Sequence, residues 1–317
     1  MKRKYFLILI LLFCFGGMTF FVSCTNASKD VYLFSYFKGN GEDGLHLAYS
    51  LDGLTWKALN EERTFLQPLV GKDKLMRDPC IVRDAGGTFH MVWTIGWWDS
   101  SIGYASSKDL RNWSEQQEIP VMKDFEGTKN CWAPELFYDY RDDTFYIFWS
   151  STVAGAFPEI PTSEAERGLN HRLYYVTTKD FKTFSPTKLF FDPGFSVIDG
   201  AILKRGDTYG LFVKNENSVP AEKNLRITLN DVPYNFPVKV SESITGDYWA
   251  EGPSPIEIGE YVYVYFDKYN EGRYGAVRSL DMKRWEDVSD SVSFPSGVRH
   301  GTAFRVPASL LEKLKGL

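Results

Sequence analysis

Residues 274–285 read YGAVRSLDMKRW, and the same pattern recurs as LHLAYSLDGLTW (45–56), IGYASSKDLRNW (102–113) and LYYVTTKDFKTF (173–184). Each copy begins with apolar and small residues, has Asp at its eighth position and ends on an aromatic residue. This order predicts a strand, a turn built on the Asp, and a ring that folds back on the unit. A weaker copy at 225–236 brings the number of repeats to five, which is typical of an array of identical β units.

A β-hairpin is predicted before each copy. Its second strands are the apolar, aromatic-rich segments 31–37, 88–94, 144–150, 208–214 and 261–267. The last four have a first strand directly upstream, at 76–83, 130–138, 197–204 and 249–258. The first unit has none.

The missing strand is supplied by residues 298–306, which follow the fifth unit and have no partner of their own. If this segment pairs with the N-terminal unit, the array closes into a ring and hides its terminal edges. The sequence therefore predicts an all-β fold, a five-bladed β-propeller closed by its C-terminal strand. A β-sandwich is the alternative, but it requires no such repeat. Residues 308–317 carry the one helical pattern of useful length.

The N-terminus has the character of an export signal. Three basic residues at positions 2–4 precede an almost unbroken apolar run to Val22. Cys24 then follows Phe-Val-Ser, which resembles the bacterial lipoprotein box; an ordinary cleaved signal is the alternative. We expect a signal peptide at 1–23, a lipidated Cys24, a tether at 24–30 and one propeller domain at 31–317. The protein would be anchored by lipid in a bacterial cell envelope.

Charge excludes one class of partner. Without residues 1–23 the chain has 33 Lys and Arg against 41 Asp and Glu, a formal net charge of −8, and no local basic patch is evident. Nucleic acids would be repelled, so they are not expected as ligands. Cys80 and Cys131 remain in the mature chain, and either a disulfide or two buried thiols is compatible with the sequence.

Polar groups interrupt the apolar inner strands at their starts. Four successive repeats have an acid there: Asp78, Glu135, Asp199 and Glu251. We expect these acids to occupy equivalent positions and their carboxyl groups to converge on the axis of the propeller. Burying four carboxylates together is costly unless they are solvated, paired or protonated, so the pattern indicates function. The long loop 151–172 and the loop that carries Trp97 and Trp98 should rim this face.

Five sequence motifs resemble those of a known enzyme family. They are RDPCIV (77–82), CWAPELFYD (131–139), VIDGAILK (197–204), AEGPSP (250–255) and RHGTAFRV (299–306). Together, one per blade and over the whole mature chain, they resemble glycoside hydrolase family 43, which comprises arabinofuranosidases, xylosidases and arabinanases on five-bladed propellers. The resemblance implies an inverting glycosidase for arabinofuranosyl or xylosyl linkages in plant glycans, with no cofactor in its chemistry.

The resemblance also assigns catalytic roles. Asp78 corresponds to the general base of the family, Glu251 to the general acid, and Asp199 to the Asp that keeps the acid protonated and orients it. An inverting hydrolase needs such a pair, one carboxylate to activate water and one carboxylic acid to protonate the leaving oxygen, typically ~6.5–9.5 Å apart.

Substrate contacts are expected from aromatic and charged residues around this trio. Trp132 and Phe195 would face the sugar and the loop tryptophans would extend that surface, while Arg299 would bind a hydroxyl or a carboxylate. In some relatives the last-blade His, here His300, helps to hold a central ion through water, so a structural calcium near His300 is one expectation and a core His the other. The predicted substrate-binding residues are Trp97, Trp98, Trp132, Glu135, Phe195, Arg299 and His300.

Other functions stay open at this stage. Glu135 replaces the usual Asp of its motif and the third-blade motif has Gly after Asp199, so the sugar is not fixed. Fructan-type propeller glycosidases of families 32 and 68 share Arg-Asp-Pro, but their Asn-Asp-Pro-Asn-Gly motif is missing. A non-catalytic sugar-binding surface lipoprotein and a propeller scaffold for proteins are the remaining alternatives. The expected partner is a carbohydrate, the expected state is a monomer, and membrane contact is through the lipid anchor.

Overall fold

The computed structural model describes residues 30–316. The expected signal peptide, the lipidated Cys24 and the tether up to residue 29 lie outside the described residues. Within the described part the strands are β1 Asp30–Phe37, β2 His46–Ser50, β3 Lys57–Ala58, β4 Arg77–Arg83, β5 Phe89–Thr94, β6 Ile102–Ser107, β7 Gln117–Ile119, β8 Trp132–Asp139, β9 Thr144–Ser151, β10 Arg172–Thr178, β11 Lys188–Phe191, β12 Val197–Arg205, β13 Thr208–Asn215, β14 Leu225–Asn230, β15 Glu251–Ile258, β16 Tyr261–Lys268, β17 Arg273–Ser279, β18 Glu286–Asp287 and β19 Arg299–Pro307. One α-helix, α1 Ala308–Lys315, follows them, as the sequence predicts.

These strands form five antiparallel sheets, the blades of the predicted propeller. In order of strands from the axis outward, the blades are β19-β1-β2-β3, β4-β5-β6-β7, β8-β9-β10-β11, β12-β13-β14 and β15-β16-β17-β18. The inner strands β19, β4, β8, β12 and β15 each contact the next one and the last contacts the first. The ring is therefore complete.

Closure occurs as the sequence predicts. Strand β19 pairs antiparallel with β1, with Val306 opposite Val31 and Phe304 opposite Leu33. The C-terminal segment is thus the inner strand of the N-terminal blade. Because the last strand of the chain pairs beside the first, neither end leaves an open edge on the axis.

The core lies between the blades. Strands β5 and β9 are buried along their whole length. A strand with a blade packed on each face needs apolar residues on both faces, which explains why these segments read as continuous apolar runs and not as alternating ones. Each interface between blades has its own apolar cluster, such as the one that joins Trp149 and Tyr174 to Val92.

The repeated Asp has a structural purpose. Asp52 Oδ1 accepts hydrogen bonds from the backbone N–H groups of Leu54 (2.8 Å) and Thr55 (2.9 Å). The hydroxyl of Ser50 donates to the same oxygen at 2.8 Å. The same two backbone bonds form at Asp109, Asp180 and Asp281. The aromatic residue that ends each copy packs toward the preceding blade, as Trp56 does against Tyr265 at 5.4 Å between ring centroids.

The remaining features are few. The fourth blade has three strands, and its weak repeat lacks the Asp turn but buries Phe236. Helix α1 packs Leu311 and Leu314 into the core cluster of the first two blades.

Cys80 and Cys131 are buried free thiols, so the second of the two alternatives left by the sequence is the one observed, and they form no disulfide. Among the described residues no helix is both long and apolar enough to cross a membrane.

Candidate active site

Every inner strand has a β-bulge near its start. At each bulge the inner strand has one extra residue, so that three steps along it lie opposite two steps along the neighbouring strand. The bulges span residues 77–80, 132–135, 198–201, 251–254 and 299–302. At the second position of four bulges φ is positive, with +50° at Asp78, +45° at Ala133, +53° at Asp199 and +65° at Gly252. Positive φ at non-glycine residues is uncommon and costs energy, and such strain is concentrated at functional sites.

The bulge register corrects one expectation from the sequence. Asp78, Asp199 and His300 share the second bulge position, whereas Glu251 takes the first and Glu135 the fourth. The four acids are therefore not equivalent, since motif order along the sequence does not reveal where each extra residue is inserted. His300, at the position equivalent to the two aspartates, places a positive charge close to both of them.

Asp78 is held as a carboxylate. The Thr94 hydroxyl donates to its Oδ2 at 2.8 Å, and His300 Nδ1 lies 3.4 Å from its Oδ1. Burial alone would raise the pKa of Asp78, but the bond and charge of His300, with help from Arg77 and Thr94, hold it at about 2. Asp78 is thus ionised over the whole physiological range.

His300 is held as a cation. Burial would lower its pKa, but Asp199, Asp78 and Glu135 together raise the pKa of His300 to about 9. The imidazole also packs against the backbone at Gly252, where a Cβ would lie 2.5 Å from ring atoms of His300. Glycine is required there by this close approach, and it also adopts the positive φ without strain.

Asp199 lies beside both groups. Its Oδ2 accepts the backbone N–H of Gly252 at 2.9 Å, directly after Glu251. Burial raises the pKa of Asp199 above its usual range; His300 and Lys214 oppose this, and the charge of Glu251 adds to it. The Ser150 hydroxyl accepts the backbone N–H of Asp199 at 3.2 Å.

Glu251 is bound by two cations. Lys214 Nζ donates to Oε2 at 3.0 Å and Arg299 Nη2 donates to Oε1 at 3.2 Å. Both cations are shared with a second acid, since Lys214 also lies 2.7 Å from Glu216 and Arg299 donates to Asp267 at 2.7 Å. Arg299 therefore pairs with carboxylates, one of the two roles expected for it.

Three carboxyl groups and three cations form a chain of ion pairs around Glu251. Glu251 pairs with Lys214 and Arg299, Asp267 pairs with Arg299, and Glu216 pairs with Lys214 and with a third cation, Lys223, at 2.8 Å. Burial and the nearby Glu251 raise the pKa of Asp267 to about 6, although Arg299 opposes this. Burial beside a like charge thus favours the protonated form of Asp267.

Glu135 lies deeper on the axis. It accepts the Thr302 hydroxyl at 3.2 Å, and burial, its main influence, raises its pKa to about 7. It lines a cavity of about 300 Å³ at the other end of the axis, together with inner-strand residues beyond the bulges. The structure thus places Glu135 under the trio instead of at the rim of the mouth.

The predicted tryptophans come together in one cavity of about 480 Å³, called the aromatic cavity here, at the beginning of the inner strands. Trp132 contacts Trp97 edge to face at 5.6 Å and Trp98 at 5.8 Å between ring centroids. Arg167, from the long loop 151–172, completes the wall and lies 5.0 Å over the Trp98 ring. Both loops expected at the rim are therefore there.

Phe195 is in a different place. It packs in the core cluster between the third and fourth blades, with the Arg226 guanidinium 5.7 Å over its ring. It does not line the aromatic cavity. The expected sugar contact of Phe195 is not supported by this position.

A calcium near His300 would have no set of direct protein ligands in the described part of the chain, so only an ion held through water stays a prediction. Among residues 30–316 no group of three His, Cys, Asp or Glu side chains is arranged to hold a metal ion. A protonated His300 that donates to Asp78 offers no lone pair and repels a cation. No step of the chemistry below uses a metal.

Four further residues of the site are not among those predicted from the sequence, although the repeat marks their positions. Thr94, Ser150, Lys214 and Asp267 lie near the ends of the second strands, directly opposite the bulges. Each is the first polar residue after an apolar run. Aligning the second strands by their repeat would have singled out these four.

Comparisons with known proteins identify the family and the fold. A family model described as a probable glycosyl hydrolase domain, related to glycoside hydrolase family 43, matches residues 28–311. A curated α-L-arabinofuranosidase from Bifidobacterium longum subsp. longum is 25% identical over 160 residues, which cover 44% of this chain and 15% of that protein. The chain thus matches a small part of that relative.

Two solved structures show the same fold. The α-L-arabinofuranosidase from Lactobacillus brevis superposes with a TM-score of 0.53 at 16% identity, covering 67% of this chain and 72% of that one. The xylan β-1,4-xylosidase from Bacillus halodurans gives a TM-score of 0.54 at 19% identity, covering 72% and 43%. At these identities the likeness concerns the fold alone.

Proposed function

Because this chain belongs to the family of probable glycosyl hydrolase domains related to glycoside hydrolase family 43, we propose that it is an inverting glycosidase that cleaves arabinofuranosyl or xylosyl linkages in plant glycans. The observation that carries this proposal is the presence of two acids in the bulges of the inner strands. Asp78 is buried and held as a carboxylate by His300 and Thr94, and Glu251 lies in the bulge of another blade. Names of the similar proteins, an arabinofuranosidase and a xylosidase, support the choice of pentose linkages.

Asp78 acts as the general base. A base must be ionised before it can accept a proton from water, and His300 and Thr94 keep Asp78 in that form. The same contacts fix the carboxylate in one orientation, so one oxygen can face the attacking water. Inversion follows when this water attacks the anomeric carbon directly, opposite the leaving group.

Glu251 acts as the general acid. Its carboxyl group must deliver a proton to the glycosidic oxygen, and ion pairs with Lys214 and Arg299 hold it in place. Both cations are shared with a second carboxylate, Lys214 with Glu216 and Arg299 with Asp267. We propose that Asp199, which accepts the backbone N–H of Gly252 next to Glu251, keeps the proton on the acid.

The test is a pair of substitutions with a matched control. Asp78→Asn should lose ~10²–10⁴-fold in kcat on every substrate, because water always has to be activated. Glu251→Gln should lose less on aryl glycosides with good leaving groups, which need little protonation. Asp84→Asn, in the same blade at the opposite end, should keep normal activity. Near-normal turnover by Asp78→Asn would overturn the proposal and favour a non-catalytic sugar-binding role.

We also propose that the protein is exported and anchored by lipid at Cys24 in a bacterial cell envelope. The support is the sequence alone, a basic and apolar N-terminus followed by a lipoprotein-like box. Several acyl chains on one cysteine would hold the protein firmly, whereas one chain binds only marginally. Such a location suits an enzyme whose substrate is a glycan outside the cell.

A further inference from the structure

A second aromatic surface lies beside the acid, apart from the aromatic cavity. The Trp249 side chain comes two residues before Glu251 and is 40% exposed, although the Trp residues that end the blade repeats are largely buried. Its ring lies 5.9 Å from the ring of Tyr269, with 47° between the two planes. Trp249 and Tyr269 together are called the second platform below.

The second platform is tied to Glu251 on two sides. Lys214 Nζ lies 4.8 Å from the Tyr269 ring centroid and donates to Glu251 at 3.0 Å. The backbone N–H of Ala250, between Trp249 and Glu251, donates to the Lys223 carbonyl at 3.0 Å. Tyr269 thus shares Lys214 with the acid, and the backbone between Trp249 and Glu251 is held by a hydrogen bond.

The two aromatic surfaces occupy different sides of the mouth. The aromatic rings of the aromatic cavity come from the second and third blades and Glu216 from the fourth, whereas Trp249 and Tyr269 belong to the fifth blade and the segment that leads into it. Glu216 lines the aromatic cavity and lies 2.7 Å from Lys214, so the charged groups of the site lie between the two surfaces.

Direct displacement sets the direction in which the substrate extends. Water activated by Asp78 attacks from one side of the anomeric carbon, and the leaving oxygen departs on the opposite side toward the acid. Asp78 is nearly enclosed, with 11% of its side chain exposed, whereas 21% of Glu251 is exposed. The departing sugar therefore moves outward past Glu251, to where Trp249 and Tyr269 lie.

We propose that Trp249 and Tyr269 form the binding surface for the leaving-group sugar, so that the natural substrate is an oligosaccharide or polysaccharide that continues beyond the cleaved bond. This inference rests on the proposed glycosidase function. A flat, exposed indole offers the apolar face of a pyranose or furanose ring a large contact area at low entropic cost. Trp249 is then a specificity residue that contacts substrate without taking part in proton transfer.

The experiment compares two substrates that differ only in the leaving group. One is the trisaccharide that the wild type hydrolyses, xylotriose or α-1,5-arabinotriose, and the other is the matching glycosyl fluoride, whose leaving group is a single atom. Trp249→Ala should lower kcat/KM about 10-fold on the trisaccharide, the effect of one aromatic contact of ~1.4 kcal/mol. It should leave the fluoride unchanged, and Trp249→Phe should recover part of the loss.

Tyr140→Ala is the matched control, because Tyr140 is an exposed aromatic residue on the hairpin at the opposite end of the propeller. It should leave both substrates unaffected. Equal losses of Trp249→Ala on trisaccharide and fluoride, or no loss on either, would overturn the leaving-group surface while the glycosidase function stands. A wild type that binds the trisaccharide by calorimetry but cleaves neither substrate would instead overturn the proposed function itself.

Discussion

Replacing His300 by Gln should move the acid limb of the pH–rate profile to higher pH. In the native protein Asp78 titrates at about 2, since the bond and charge of His300 outweigh the burial that would raise its pKa. His300 carries its proton up to about pH 9, so the pair is ionic across the working range. Gln keeps a polar group at the site but removes the charge. Burial then raises the pKa of Asp78 with less opposition from a nearby positive charge.

The size of the shift follows from the geometry. At the 3.4 Å between His300 Nδ1 and Asp78 Oδ1, two unit charges attract by ~5 kcal/mol at an effective dielectric constant of about 20, which is an upper limit. An opposite charge at such a distance moves carboxyl pKa values by about 1–3 units in practice. The acid limb should therefore rise from about pH 2 to roughly pH 3–5, into a range that is easily measured.

The assay is kcat/KM on an aryl glycoside between pH 2.5 and pH 8, which reports groups of the free enzyme. Circular dichroism at each pH separates titration from unfolding. His90→Gln is the matched control, since His90 pairs with Asp84 at 3.1 Å in the second blade but far from the mouth. An unchanged acid limb in a folded His300→Gln variant would refute the reasoning, because Asp78 would then not depend on this pair.

Three further predictions concern Asp199, Glu135 and Cys24. Asp199→Asn should shift the alkaline limb of kcat to lower pH, since a like charge that keeps the proton on the acid is removed; an unmoved limb would contradict its role. The pKa of Glu135 rises from 4.5 to about 7 on folding, so stability is lost as pH rises through this range. In urea, Glu135→Gln should exceed the wild type by up to roughly 3 kcal/mol at pH 8 and by little at pH 5; equal stability at pH 8 would argue against a buried charge. Cys24→Ser should move the protein from the membrane to the soluble fraction, and an unchanged distribution would count against lipidation.

Much of the fold could be predicted because it is repetitive. The Asp turn needs one residue type at a fixed position, so four copies, including those at Asp52 and Asp281, stand out in the sequence. Closure by 298–306 followed from the strand that the first unit lacked. A repeat in the sequence maps directly onto blades because every blade satisfies the same backbone and packing requirements.

The site could be predicted only in part, for a physical reason. The motifs locate the starts of the inner strands, but the bulges decide which side chain faces the axis, and an inserted residue leaves no mark in the sequence. The sequence therefore predicts Glu135 level with Asp78, although it lies deeper. Partners such as Lys214 come from the adjacent strand, and pairing across strands is visible only once the register is known.

The most direct test of the central claim is the configuration of the first sugar released by the wild-type protein, followed by proton NMR in the first minutes of the reaction. Our account predicts the inverted anomer, because Asp78 activates water for a single displacement while Glu251 protonates the leaving oxygen. The retained anomer would contradict it, since retention requires one carboxylate to form a covalent bond to the sugar and leaves Asp78 no role as a base for water in the first step.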